Sequence, residues 1–274
     1  MQNSTNRLFD KTVSAPAILR ITRPAIAVAL VEIDNPPANA LTEELYAAIN
    51  KAVVALERDM STRAVIIASA HRSTFVAGAD IKAMATYDFS RAAVTRKVSL
   101  VHDCFLRLQR LSKPTIAAIE GHALGGGCEL ALTCDFRLMA RGKARIGLTE
   151  AALGLIPGGG GTQRLTRLIG RARAIELMLL ARRLDADEAV AIGLVNTACD
   201  SASLRPAAFA LADQLAAMPR SSLRLIKLTL NDGFDADLES GLAVERKAAV
   251  EAVLSVEARE GIAAFIEKRE PQFH

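Results

Sequence analysis

Two hydrophobic patterns alternate along the first part of this chain, and one of them takes over in the rest. Short apolar runs at Ala17–Ile21, Ala25–Ile33, Ala64–Ser69, Pro114–Ile119 and Phe136–Ala140 are of strand type, the second rich in Val and Ile. Arg23-Pro24 marks the turn between the first two, and Asn35-Pro36-Pro37 ends the second. Thr42, followed by Glu43 and Glu44, reads as a helix start with acids in its first turn, and the helix runs to about Arg58. Val94, Val98, Val101, Phe105 and Leu108 recur every three or four residues and predict an amphipathic helix over 91–111. Strands alternating with helices at this spacing imply βαβ units and a largely parallel sheet.

From Thr162 onward helical periodicity dominates. It predicts helices over 163–169, 172–180, 185–192, 204–218, 221–231 and 238–268, the last broken near Ser255. The expected organisation is a flexible lead-in over 1–16, an α/β core carrying the active site over 17–203, and a helical region over 204–274. All-helical regions that follow a sheet often pack on another copy of the same chain, so an oligomer is expected.

Composition narrows the classes. Apolar residues make up 51% of the chain but aromatics only 4%, with no Trp, so the core is built from Ala, Leu, Val and Ile. The net charge of +4 comes from scattered Arg, with clusters at Arg141/Lys143/Arg145, Arg164/Arg167/Arg171/Arg173 and Arg182/Arg183. Solvated helix faces account for most of these; a phosphate-bearing small ligand ranks ahead of nucleic acid, because aromatic-basic interleaving is absent. Cys104, Cys128, Cys134 and Cys199 form no CxxC pair and have no His at metal-ligand spacing, so free thiols in a reducing compartment are expected and no metal is. No apolar run approaches the ~20 residues of a membrane span. Met1–Ala15 is polar, carries Asp10 and lacks a signal-peptide apolar stretch. A cytoplasmic protein is expected, or one of the mitochondrial matrix in a eukaryote.

Candidate chemistry gathers around three glycine-containing turns. Ala77-Gly78-Ala79 precedes a helix from Ile81 and can be a tight strand-to-helix turn or a set of free N–H groups at a helix start. Gly125–Gly127 opens another helix, and Glu129 follows Gly126 by about one helical turn. Glu129 can complement the helix dipole, or it can face the same ligand as the bare amides. A second carboxylate, Glu150, precedes the run Gly158–Gly161, which lacks both the Walker A ending and a dinucleotide spacing. His122, beside the first glycines, reads as a structural histidine rather than a base.

Five segments in order resemble the crotonase superfamily, and within it an enoyl-CoA hydratase. They are Asn35–Leu41, Phe75–Lys82, Lys113–Leu130, Gly147–Glu150 with Ile156–Leu165, and Gly261–Phe273. The resemblance implies a spiral of ββα units followed by a helical trimerisation region, assembled as a homotrimer or a dimer of trimers. It implies an acyl-CoA thioester as partner, with no cofactor beyond the coenzyme A of the substrate. Ala79 and Gly126 match the family's oxyanion-hole amides, and Glu129 and Glu150 match its catalytic pair. Ala77, Asp80, Ile81 and Lys82 match its acyl-CoA turn; Phe265 and Lys268 match C-terminal positions that reach CoA, often a neighbour's. Two departures stand out. Ile146-Gly147-Leu148-Thr149-Glu150 lacks the proline common before the second glutamate, which frees the backbone there, and Leu138–Lys143 is one residue longer than usual. Reversible hydration of a trans-2-enoyl-CoA is the expected activity. The alternatives are an enoyl-CoA isomerase on the same fold and a non-catalytic acyl-CoA- or RNA-binding member.

Overall fold

The computed structural model describes residues 18–273; the lead-in expected over 1–16 and the first residue of the strand expected from Ala17 lie outside the described residues. Strands come in pairs followed by helices. The first unit is β1 (Leu19–Ala25), β2 (Val28–Ile33) and α1 (Glu43–Arg58). Then come β3 (Ala64–Ser69), β4 (Thr74–Val76), α2 (Ile81–Met84) and α3 (Arg91–Gln109). The third unit is β5 (Thr115–Ile119), β6 (His122–Leu124) and α4 (Gly126–Leu132). The fourth is β7 (Phe136–Ala140), β8 (Ile146–Gly147), a 3₁₀ turn over Glu150–Leu153, and α5 (Gly161–Ile169). After α6 (Arg171–Leu179) and α7 (Ala186–Ala191), β9 (Thr197–Cys199) closes the sheet.

From the second unit on, the first strand of each pair joins a six-stranded sheet of order β1-β2-β3-β5-β7-β9 and the second joins a three-stranded sheet of order β4-β6-β8. Among the described strand pairs β1–β2 alone is antiparallel, and the others run parallel. The large sheet is covered on both faces, which is why β3 and β5 are buried at every position. Val65, Ile67, Ala117 and Ile119 pack with α1, α3 and α4, while Ala64, Ile66, Ala68, Ile116 and Ala118 face α8 (Leu204–Ala217) through Leu204, Ala208, Ala212 and Ala216. Thr42 caps α1 by accepting from Leu45 N–H.

Three sequence expectations change. The first turn lies at Ile26-Ala27, with Ala27 at φ 62°, and Arg23-Pro24 falls inside β1. Pro24 is tolerated because β1 is an edge strand whose register shifts between Thr22 and Ala25. The stripe on α3 is buried only toward its C-terminal end: Phe105 and Leu108 are in the core, whereas Val94 and Val98 are exposed. α8, grouped by sequence with the C-terminal helices, is part of the sheet's own packing because its four small or apolar residues complete the second core.

The remaining helices, α9 (Arg220–Gly233), α10 (Leu238–Leu254) and α11 (Val256–Glu267), each bury a single residue: Leu225, Ala248 and Ala264. Ser255 ends α10 and caps α11 through its hydroxyl, which accepts from Ala258 N–H. α9 is tied to the core by Lys227, which donates to Asp135 and to Lys113 O.

Candidate active site

The small sheet positions the site. β4, β6 and β8 run parallel, so the segments leaving their C-terminal ends emerge side by side. β4 leads to Ala77–Asp80, β6 to Gly125 and α4, and β8 to Glu150. Ala123 pairs with Ile146 and Leu124 with Gly147, and Gly125 N–H continues the ladder to Gly147 O at 2.9 Å. α4 lies hard against β4 because Gly127 has no side chain; a Cβ there would come 1.9 Å from Val76 O.

The two turns singled out by sequence are in contact. Gly78 adopts φ 107°, and a Cβ on it would lie 3.5 Å from Gly126 N; a Cβ on Gly126 would lie 3.8 Å from Ala79 N. Gly126 is the first residue of α4, where an amide has no intrahelical acceptor. Ala79 forms a parallel bridge with Leu41, and its hydrogen bond at 2.8 Å runs from Leu41 N–H to Gly78 O. In a parallel bridge of that register Ala79's own N–H is left outside the ladder.

The Glu150 carboxyl lies against Gly125 and Glu129 lies on the first turn of the helix that Gly126 opens, in unequal surroundings. Glu129, on the first turn of α4, is 4% exposed. Its Oε1 accepts from Gly159 N–H at 2.7 Å and Gly161 N–H at 2.8 Å. Burial raises its pKa, opposed by those two amides and by the charges of Arg164 and His102. Glu150 is half-buried, and its Oε1 would lie 3.1 Å from a Cβ on Gly125. Its Oε2 is buried without a hydrogen-bond partner. Burial pushes its carboxyl up to about 7, its own N–H and that of Thr149 hold it down, and repulsion by Glu129 adds to the rise. Burial thus raises both carboxyls, but at Glu129 two loop amides and two cationic side chains oppose the rise, whereas at Glu150 the neighbouring carboxylate adds to it.

The run Gly158–Gly161 proves to be the cradle of Glu129. A Cβ on Gly159 would come 2.5 Å from Glu129 Oε2, and one on Gly161 2.9 Å from Oε1. The bare amides of this loop do hold an anion, and the anion is a side chain of the same protein. Phe105, edge-on to Tyr46 at 5.8 Å between ring centres, backs this loop.

The other candidates divide. Ala77 and Ala79 are exposed at the turn, and Ile81 and Lys82 are exposed on α2 beside it. Asp80 is occupied as the cap of α2, accepting from Ala83 N–H at 3.0 Å. Phe265, 86% exposed on α11, and Lys268, in the left-handed C-cap of that helix, share no hydrogen bond with the site among the described residues. His122 lies in β6, its Nδ1 buried without a partner.

Paired strands that part into two sheets, followed by C-terminal helices, are the architecture of the crotonase superfamily. An enoyl-CoA hydratase from Bacillus anthracis has this structure, with TM-score 0.88 and 36% identity over 93% of this chain and 98% of that one. The family model "Enoyl-CoA hydratase/isomerase" matches residues 24–274, and the chain belongs to that family. It is 39% identical to the short-chain-enoyl-CoA hydratase of Clostridium acetobutylicum, over 88% of this chain and 92% of that protein. It is 42% identical to the mitochondrial methylglutaconyl-CoA hydratase of Homo sapiens, over 86% of this chain and 70% of that protein.

Proposed function

We propose that the protein adds water reversibly across the C2–C3 double bond of a trans-2-enoyl-CoA thioester, giving the 3-hydroxyacyl-CoA. The observation that carries this is the pair of carboxylates in unequal surroundings, Glu129 on α4 and Glu150 just past β8, on the segments that leave neighbouring strands together with the adjoining Ala79 and Gly126 amides. Ala79 and Gly126 donate their N–H groups to the thioester oxygen as it gains enolate charge; losing one such donor in other enzymes costs on the order of 10²–10³ in rate. Glu129, with Oε1 held by Gly159 and Gly161, takes a proton on Oε2 from the water whose oxygen bonds to C3. Glu150 gives its proton to C2, and solvent returns the proton from Glu129 to Glu150 before the next cycle. Each turnover consumes one water.

Ala77, Asp80, Ile81 and Lys82 form the turn along which the acyl-CoA lies, Asp80 by shaping the start of α2. The assembly is a homotrimer or a dimer of trimers, supported by three C-terminal helices that bury one residue each while exposing Ile226, Leu230, Phe234, Leu254 and Phe265. In that assembly Phe265 and Lys268 reach a neighbour's CoA. Four free, buried thiols suit a reducing compartment such as the cytoplasm.

Steady-state hydration of crotonyl-CoA tests the reading. Glu129→Gln and Glu150→Gln are each expected to lower kcat by about 10² or more, with KM little changed. Turnover near wild type in both variants would defeat it.

A further inference from the structure

Arg164, on α5, is a half-buried cation placed beside the carboxylate cradle. Its guanidinium lies across Gly160, where a Cβ would come 2.1 Å from Nη1; Gly160 is at φ 100°. Nη1 donates to Gly159 O at 2.8 Å and Nε donates to Gln109 Oε1 at 2.8 Å. Gln109 is held in turn by its own donation to Asn231 Oδ1 on α9 at 3.0 Å. Every one of these partners is neutral. Among the described residues no carboxylate forms an ion pair with Arg164, and the negative charge acting on it is that of Glu129. Burying a guanidinium without an ion pair is costly. A side chain needed only to fasten Gly159 O could have been a neutral amide.

The charge has one evident use. We propose that Arg164 is a positioning residue for the general base: it fixes the glycine loop whose amides hold Glu129 and favours the charged form of that carboxylate. The inference rests on Glu129 being the base of the hydration reaction. Other groups also face Glu129. His102 on α3 adds to the effect of Arg164, and its Nε2 lies 2.7 Å from Gly158 O, but it is exposed to solvent. Glu150 acts in the opposite sense. Tyr46 on α1 and Cys128 on α4 are kept neutral by burial, which raises both. A guanidinium keeps its charge at every working pH, so Arg164 is the steady contributor.

The test is the pH profile of kcat/KM for crotonyl-CoA in wild type, Arg164→Gln, Arg164→Lys, Glu129→Gln and the Glu129→Gln/Arg164→Gln double variant. Arg164→Gln is expected to move the acid limb up by about one pH unit, a tenfold loss on that limb, the lower end of the effect of a neighbouring opposite charge. Arg164→Lys is expected to return the limb to its wild-type place. The double variant should be no slower than Glu129→Gln alone, because Arg164 acts through Glu129. An unmoved limb in Arg164→Gln, equal limbs in the Lys and Gln variants, or a further tenfold loss in the double variant would overturn the proposal. If Arg164→Gln does not fold by circular dichroism, Arg164→Lys decides alone: a wild-type limb supports the charge role, and one raised by a unit overturns it. Retained turnover in Glu129→Gln would instead overturn the assignment of the base itself.

Discussion

Replacing Glu150 by Gln should stabilise the protein while disabling it. The carboxyl is half-buried, one oxygen has no partner, and the group is raised from 4.5 to about 7 chiefly by that burial. A rise of this size corresponds to roughly 3 kcal/mol, at about 1.4 kcal/mol per pH unit. Solvent screening of a half-open site brings this to about 1–2 kcal/mol. The sign follows from proton linkage. An acid with a raised folded-state pKa costs nothing below about 4.5, where both states are neutral. The cost grows as the pH rises and is complete above about 7. Gln keeps the shape and carries no charge, so Glu150→Gln should exceed wild type by about 1–2 kcal/mol at pH 8, and by about a quarter of that at pH 5. A gain of this order raises Tm by a few degrees. Urea or thermal unfolding of both proteins across pH 5–9, at one protein concentration, measures it. Equal stability at pH 8, or a difference that does not change with pH, would refute the reasoning.

In the proposed mechanism the proton on Glu150 is the one delivered to C2, so kcat/KM for crotonyl-CoA should fall about tenfold per pH unit above about 7; a flat alkaline side to pH 9 would contradict this. Gly159→Ala adds a carbon that meets Glu129 Oε2 at 2.5 Å and the Phe105 ring at 3.0 Å, and neither can retreat from a packed wall. It is expected to lower kcat by about tenfold or more through displacement of the base, read by the same assay; unchanged kcat would show that the cradle is not needed. Phe265→Glu puts a charge into the apolar surface of α11 and should shift the protein toward monomer in sedimentation velocity; an unchanged sedimentation coefficient would remove α11 from the interface.

Long, regular elements were legible in the sequence and the elements that make the site were not. α1 starts at its Thr42 cap and α10 gives way to α11 at Ser255, because capping chemistry is local. β3, β5 and β7 are apolar runs buried by layers on both sides, and the run alone marks them. β4, β6 and β8 are three, three and two residues long, too short for any period to register, yet they bring Ala79, Gly126 and Glu150 together. β9 was likewise hidden among helices. Val94 and Val98 follow the same spacing as the buried end of α3, and only the tertiary arrangement leaves them exposed. Glu129 and Glu150 were evident as candidates from their glycine surroundings. Their unequal hydrogen bonding was not, because it depends on amides 30 and 32 residues away closing on one carboxylate and none reaching the free oxygen of the other.

The most direct measurement is a crystal structure of the protein with a non-turning-over acyl-CoA, such as acetoacetyl-CoA, bound. The thioester oxygen should lie within about 3.2 Å of both Ala79 N and Gly126 N, with C2 beside Glu150 and C3 facing Oε2 of Glu129. A thioester oxygen bound away from the two amides, or an acyl carbon chain that passes neither glutamate, would contradict it.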